Sequence, residues 1–530
     1  MKKHLNTILT FALLLSLFSV SIYIRKKDFN QPLGRHHEWL VAHTIMTMTV
    51  WDQGGGPQNF HFAPVYTFEG EANGNIKAFE GVVDAKRDAY YLSYPPFGLL
   101  FPYFVFKLLG LDFTVANFQV FNYVLHFTIA FSLFCFLNYL FRKKFDSWYI
   151  PSYIGFIFYV FTNGLLWFHG NTYFVDMLMQ LFFVAQVYFL VRALREFEFL
   201  NKKFFLYYGL VTFFACYTDW LACFIALISG LILLGHAIYY KRKKLLALFL
   251  VVGASSTFSG LTTIAQYSSV AGFKEYKEAM ERKYKVRSGN GDPDLKHLDP
   301  IWGDPNSLRL IKEHVNRNFH LVINFTGIAL GLYFVLFIFL KQYRIKWEEF
   351  WLLLAMGVPI VMHYYFFFNF NVLHDFSTLK TALFCIVLIA LVFSRLDALI
   401  KNTITNKYIQ VAVFSVLLVG LGFRIKKNVK QYHEVNAMEH VHHYNVNIGT
   451  AIKKYAKPDR VVFSNTPIYP ETMYYCHRNS MFALCVKHTI GWLRENKMKK
   501  GVFFKNEGEQ VLEVYEFNDL GDSTLIYKQH

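Results

Sequence analysis

Eleven predominantly apolar runs constrain this chain more tightly than any motif in it. They fall at residues 5–24, 113–141, 148–168, 172–194, 204–219, 220–240, 245–264, 319–340, 349–367, 378–396 and 408–424. Most come close to the ~20 residues that a helix needs to cross about 30 Å of hydrocarbon. Only helices or closed barrels satisfy their backbone groups in lipid, so runs of this length imply a polytopic α-helical membrane protein with about eleven transmembrane helices. The first run begins like a signal peptide, after Lys2-Lys3-His4. No small-x-small cleavage site follows Ile24, however, and Arg25-Lys26-Lys27 comes next, so it reads as a retained helix with its N-terminus inside.

The formal charge of +17 is distributed as a topology signal rather than as a nucleic-acid footprint. Arg142-Lys143-Lys144, the four cations of 192–203, Lys241-Arg242-Lys243-Lys244, 341–346 and 395–407 occupy alternate loops, while 168–174, 217–220 and 369–378 contain no Lys or Arg. The positive-inside rule then places the N-terminus in the cytoplasm. An odd span count puts the C-terminus outside, as in a bacterial inner (plasma) membrane protein. No nucleic-acid partner is expected. Of the six cysteines, four lie in apolar runs and act as small hydrophobes. Only Cys476 and Cys485 fall in polar sequence, and their pairing stays open.

On this topology the chain divides into a membrane domain, residues 1–424, and a hydrophilic domain, 425–530, whose alternating patterns read as a small extracytoplasmic α/β unit. Two long outer segments interrupt the membrane domain, at 25–112 and 266–318. The first carries His36, His37, Glu38, His43, Asp52 and His61 around a Gly54-Gly55-Gly56-Pro57 turn. Acids and imidazoles beside a membrane mouth suit proton transfer or metal binding. Residues 39–51 show a weak helical pattern, and 97–110 form an apolar run too short to span, so each suggests an interfacial helix. Hairpin punctuation surrounds Asn73-Gly74-Asn75.

His169, Asn171, Asp219, His363, Asn369, Asn371, His374 and Asp375 fall on the same outer face, although Asp219 and Asn171 read equally well as helix caps. The second segment has a helical stretch at 273–284, then a flexible break at 288–293, and reads as a loop able to fold over a site. Asp292, Asp294 and Asp299 lack the spacing of a calcium loop, and the four histidines of 433–445 read as a surface helix rather than a metal cluster.

The stretch Y-x-x-Y-P-P-F-x-x-L-x-P-Y-x-x-F-K-L-L-G (91–110), following an acidic segment after the first helix, resembles the GT-C class of polyprenyl-phosphate-dependent membrane glycosyltransferases. That class is typified by protein O-mannosyltransferases and lipid A aminoarabinose transferases. The run 171–192 is similar to the family helix that begins with an aspartate and ends in basic residues. The resemblance implies Glu38 and Asp176 as the two acidic catalytic positions, close together at the outer mouth. Where the family typically has Asp-Glu, this chain has His36-His37-Glu38. Candidate substrate-binding residues on the same outer face are His37, His43, Tyr94, Lys86, Arg87, His169, Asp219, His374 and Asp375.

The implied partners are a polyprenyl-phosphate-linked sugar donor, the lipid bilayer, and a glycan, lipid or protein acceptor. The chemistry needs a base for the acceptor hydroxyl, and positive charge or a divalent metal for the leaving phosphate. Lys86, Arg87 and the cations of 274–287 are outer candidates, with solvated surface as the alternative. Two other readings stay open, a lipid-linked sugar flippase or transporter and a polysaccharide polymerase or ligase. The transporter reading expects charged or broken-helix sites at mid-membrane, whereas the spans read as clean. No Walker A loop or internal repeat appears.

Overall fold

The structure, a computed structural model, describes residues 2–66, 68, 82–85, 88–142, 149–289, 304–339, 345–438, 443–466, 469–508, 510–519 and 522–529. Lys86, Arg87, the 73–75 hairpin signal, Asp292, Asp294, Asp299, His440 and His442 lie outside the described residues.

Among the described residues each apolar run contains a helix. Nine of the helices are long and apolar enough to cross a membrane: α1 (Lys2–Arg25), α4 (Val115–Arg142), α7 (Val175–Arg195), α9 (Trp220–Tyr239), α10 (Lys243–Ala271), α12 (Pro305–Phe339), α13 (Trp347–Phe366), α15 (Leu379–Thr403) and α16 (Lys407–Met438). The expected span at 148–168 is instead a pair, α5 (Ile150–Phe161) and α6 (Asn163–Asn171), bent by 59°. The run at 204–219 yields α8 (Lys202–Cys216), whose 15 residues reach only about 22 Å. Among the described residues the count of about eleven therefore becomes nine, or ten if the bent pair is one span. The protein is a multi-pass membrane protein.

The bend between α5 and α6 corrects the expectation of clean spans, and it helps to place the site. Thr162 is extended there (φ −72°, ψ 135°). The Phe161 carbonyl it frees is taken up inside the protein, as lipid demands, by Asn428 Nδ2 at 2.6 Å, and the Asn163 side chain at the bend donates to the Arg317 carbonyl of α12 at 3.0 Å. Gly164 permits α12 to approach, since a Cβ on it would stand 2.7 Å from Asn318 Cβ and 3.0 Å from the Asn318 carbonyl oxygen. Next to that contact α12 kinks at Phe319 (φ −132°, ψ 19°).

The two short helices of the first long segment form, but one is not interfacial. In α2 (Trp39–Gln53) every residue from Leu40 to Met48 is buried, so the weak amphipathic pattern is that of a helix enclosed on all sides. Its companion α3 (Phe97–Leu109) is 13 residues long, starts after Pro96, and ends at Gly110 in the left-handed region (φ 63°). Between them β1 (Val82–Val83) pairs antiparallel with β2 (Ala89–Tyr90). In the second segment α11 (Phe273–Arg287) covers the expected helix and turns off α10 at Gly272, whose φ of 97° favours glycine.

Beyond α16 the chain builds the expected α/β unit. The strands are β3 (Val461–Ser464), β4 (Ser480–Phe482), β5 (Gly501–Glu507), β6 (Gln510–Asp519) and β7 (Asp522–Lys528), in the order β4-β3-β5-β6-β7. Strand β3 runs parallel to both neighbours, and β5, β6 and β7 are antiparallel. Alternate residues of β3 face two small cores: Val461 and Phe463 pack with Leu493 of α19 (Val486–Glu495), and Val462 packs with Ile448 and Ile452 of α17 (Tyr444–Tyr455). Cys476 and Cys485 are unpaired.

The unit is tied to the membrane domain through α18 (Pro470–Cys476), which packs on α2. The Leu33 amide donates to Tyr475 Oη at 2.8 Å, and Phe68 and Asn479 exchange two hydrogen bonds. Glu471, on α18, is 6% exposed, and one of its oxygens has no hydrogen-bond partner among the described residues. Burial, reinforced by the nearby charge of Glu38, pushes its pKa up to about 7.

A carboxyl group whose pKa is raised by folding contributes stability below its unfolded value, near 4.5, and loses it as pH rises through 7. The shift corresponds to at most about 3 kcal/mol. Glu471→Gln should therefore flatten the fall in thermal stability between pH 5 and pH 8. An unchanged slope would show that Glu471 is ionised in the folded protein.

Candidate functional site

A polar cluster is built on Asp375, in the turn between α14 (Phe368–Leu373) and α15, and it is fully buried. Three side chains close on its carboxylate. His36 Nε2 lies 2.8 Å from Oδ2, His37 Nε2 lies 2.8 Å from Oδ1, and Asn318 Nδ2 donates to Oδ2 at 3.0 Å. Asn318 arrives through the kink in α12. The two histidines arrive on the loop before α2, where Trp167 of α6 donates to the His36 carbonyl at 3.0 Å and His37 takes a left-handed φ of 57°. A non-glycine residue held in that region is the kind of strain that functional sites store.

His36, His37 and Asp375 place one donor atom each within 4.8 Å of one another, a spacing open to a divalent ion. The hydrogen bonds argue otherwise. Trp39 Nε1, which can only donate, bonds His37 Nδ1 at 3.1 Å, so the proton of that ring is on Nε2, the atom facing Asp375. A protonated nitrogen is no ligand, and metal-bound histidines donate from their other nitrogen. His37 therefore fits an N–H facing the carboxylate rather than a metal ligand. Burial keeps His37 below the usual imidazole range, in agreement with the neutral ring.

Glu38, expected as a base, is committed elsewhere. Its carboxylate accepts from the Gly34 and Arg35 amides at 3.0 and 2.8 Å and from Arg35 Nε and Nη2 at 3.1 and 2.8 Å. Arg35 also pairs with Asp28 at 2.6 Å, and Tyr432 of α16 donates to the same Asp28 at 2.7 Å. Burial raises the Glu38 pKa against the opposing charge of Arg35. With four donors on it, Glu38 holds the 34–38 loop in place.

Beside the Asp375 cluster lies a cavity of about 230 Å³. Tyr94, Trp220, His363 and Phe370 line one side, and Lys283 and Arg287 of α11 line the other. Arg287 lies 5.2 Å from the Phe370 ring and donates to His374 Nε2 at 3.3 Å, so cavity and cluster share a wall. Burial and the charge of Arg287 hold His374 well below the usual imidazole range. Lys283 lies 4.9 Å from the Tyr91 ring. Tyr94 donates to Asp176 Oδ2 at 3.3 Å, which puts Asp176 behind the cavity wall. Lys380 of α15 donates to Asn371 Oδ1 at 2.9 Å. A larger groove of about 950 Å³, between α12, α13 and α15, is lined mainly by apolar side chains and holds none of these charged groups.

Of the residues expected from sequence, Tyr94, Asp176, His37, His374 and Asp375 gather around this cavity. Glu38 and Asp176 sit in separate hydrogen-bond networks. His43 is enclosed by aromatic rings, its centroid 3.9 Å from that of Tyr66, with neither nitrogen hydrogen-bonded among the described residues, and burial pulls its pKa down to about 3. His169 stacks on His126 at 4.7 Å, and its carbonyl takes Arg25 of α1 at 3.4 Å, within the bundle. Asp219 caps α9 through the Leu221 amide at 2.6 Å. Asn318, Trp39 and Arg35 were not singled out. Lys380 carried a readable signal, as a lone cation at the start of an apolar run.

No family model matches the chain, and no curated protein matches its sequence. Among solved structures it is similar to ArnT from Cupriavidus metallidurans in the apo state, at 13% identity over 95% of this chain and 94% of that one, with a TM-score of 0.51. The same protein bound to undecaprenyl phosphate matches at 11% identity over 94% and 93%, with a TM-score of 0.52. The GT-C fold expected from the sequence is the fold observed.

Proposed function

We propose that this protein is a membrane glycosyltransferase that moves a sugar from a polyprenyl-phosphate carrier to an extracytoplasmic acceptor hydroxyl. The observation that carries the reading is a two-cation cavity joined through Arg287 and His374 to the histidine–aspartate cluster, in a fold whose solved neighbour was bound to undecaprenyl phosphate. Lys283 and Arg287 neutralise the phosphate that leaves as the sugar's anomeric bond breaks. His36, held by Asp375 through Nε2, acts as the base that takes the acceptor proton as the hydroxyl oxygen attacks. Asp375 fixes the tautomer and stabilises the imidazolium that forms. Glu38 positions the loop through Arg35, and Asp176 sets Tyr94. The products are a glycoside, the polyprenyl phosphate and one proton.

The α5–α6 break favours a flippase on its face, because transporters bind at broken helices. The carbonyl it frees, that of Phe161, is taken up by Asn428 of α16, and this supports the enzyme reading. The alternation of basic loops supports a cytoplasmic N-terminus and an extracytoplasmic C-terminal unit in a bacterial inner membrane. A reporter fused after the last residue and active only in the cytoplasm would reverse that orientation.

The carrier assignment is tested by Lys283→Gln combined with Arg287→Gln. Charge-assisted contacts contribute about 1.5–3 kcal/mol each, so the pair should weaken binding of a polyprenyl phosphate by about 100-fold or more. Unchanged binding would remove the cavity from the account.

A further inference from the structure

The end of α16 carries Arg424, Lys426, Lys427 and Lys430, and the topology does not explain them. The basic loops of the membrane domain meet at one end of the bundle, where Arg142 pairs with Asp397 at 3.3 Å and Arg242 with Glu198 at 3.8 Å. The cations of α16 lie at the other end. Tyr432 bonds Asp28, and Asn428 bonds the carbonyl at the α5–α6 break, both on the side of His36. Orientation requires cations at one end only, so a second cluster calls for another reason.

Arg424 and Lys427 are one helical turn apart on the same face. That face closes a cleft of about 290 Å³ against α12, opposite His320 and Asn324. Among the described residues neither cation has a carboxylate within 4.0 Å or a hydrogen-bond partner. The cleft is also apolar along one wall, where Leu321, Phe325 and Ile328 repeat at helical spacing. The stripe continues outward through Ile328 and Leu332, which are exposed at 56% and 41% on the surface that faces lipid. Eight residues separate His320 from Ile328, about 12 Å along the helix axis. The cleft thus runs from a cationic, amide-lined mouth to a hydrocarbon-facing groove.

We propose that the α12–α16 cleft is a binding site for the phosphate headgroup of an anionic lipid, with Arg424 and Lys427 on the phosphate and a chain lying along Leu321, Phe325 and Ile328. The size fits a headgroup rather than a whole lipid. The apolar stripe selects a lipid over free phosphate. The site is separate from the Lys283–Arg287 cavity and does not depend on the transfer reaction. It supplies a second lipid position at the same membrane face, held by the two helices that also carry Asn318 and Tyr432.

The test is native mass spectrometry of the full-length protein in neutral detergent, titrated with dioleoyl phosphatidic acid. The Lys283→Gln/Arg287→Gln background is used so that the other cavity does not contribute. Adding Arg424→Gln and Lys427→Gln should weaken binding by about 30-fold. Lys426→Ala with Lys430→Ala, on the opposite face of the same helix, should leave it unchanged, and excess inorganic phosphate should not displace the lipid. Equal loss in both pairs would mean diffuse surface charge and overturn the site, as would no loss in either. Displacement by inorganic phosphate would reduce it to a plain anion site and overturn the lipid assignment. Elution as a single species and an unchanged melting temperature establish that each variant is folded.

Discussion

His36→Asn is expected to lower sugar transfer by about 10²- to 10⁴-fold, the range for removing a positioned general base, while carrier binding stays near wild type. Asparagine keeps a polar side chain near Asp375 but has no nitrogen able to take a proton. The proposed mechanism gives His36 the role of base through its Nε2 contact of 2.8 Å to a fully buried carboxylate, while His37 accepts from Trp39 on its Nδ1. Trp39→Phe is therefore informative. It frees His37 Nδ1 and should change the pH profile of transfer more than its maximal rate. Measuring kcat and carrier affinity separately decides the matter, since loss confined to affinity would make His36 a binding residue.

The second large effect concerns stability. Glu38→Gln should cost about 3 kcal/mol or more, because the new NH2 group takes the place of one carboxylate oxygen and faces two of the four existing donors, either the two amides or the two guanidinium nitrogens of 34–35. It also leaves Arg35 to Asp28 alone. The measurement is thermal unfolding in detergent beside transfer by the surviving folded fraction. A Glu38→Gln protein as stable as wild type yet inactive would restore Glu38 as the base.

Much of this architecture was legible because membrane helices announce themselves by length and loop charge. Ten of the eleven runs are matched by spans or by the bent pair, and α8 fell short because the polar turn before Asp219 ends it after 15 residues. The strands β5, β6 and β7 followed from alternation, whereas β4, three residues long, and α19 left too short a pattern to read. The Asp375 cluster was half visible. Asp375, His374 and His37 stood out as polar residues at one mouth. Their assembly depends on a break at Thr162 and a kink at Phe319, neither of which is marked by proline. Glu38 misled for a physical reason: a carboxylate beside an arginine in sequence reads as available charge until the backbone folds that arginine onto it.

The central claim is that the chain transfers sugar from a lipid phosphate, and release of the carrier tests it most directly. Purified protein in liposomes would be given a polyprenyl-phosphate sugar and a cell-envelope acceptor fraction, and free polyprenyl phosphate would be followed over time. The account predicts carrier release with matching appearance of sugar in the acceptor fraction, both lost in His36→Asn. Folded wild-type protein that binds the carrier without releasing it, or that moves it intact across the bilayer, would contradict the account.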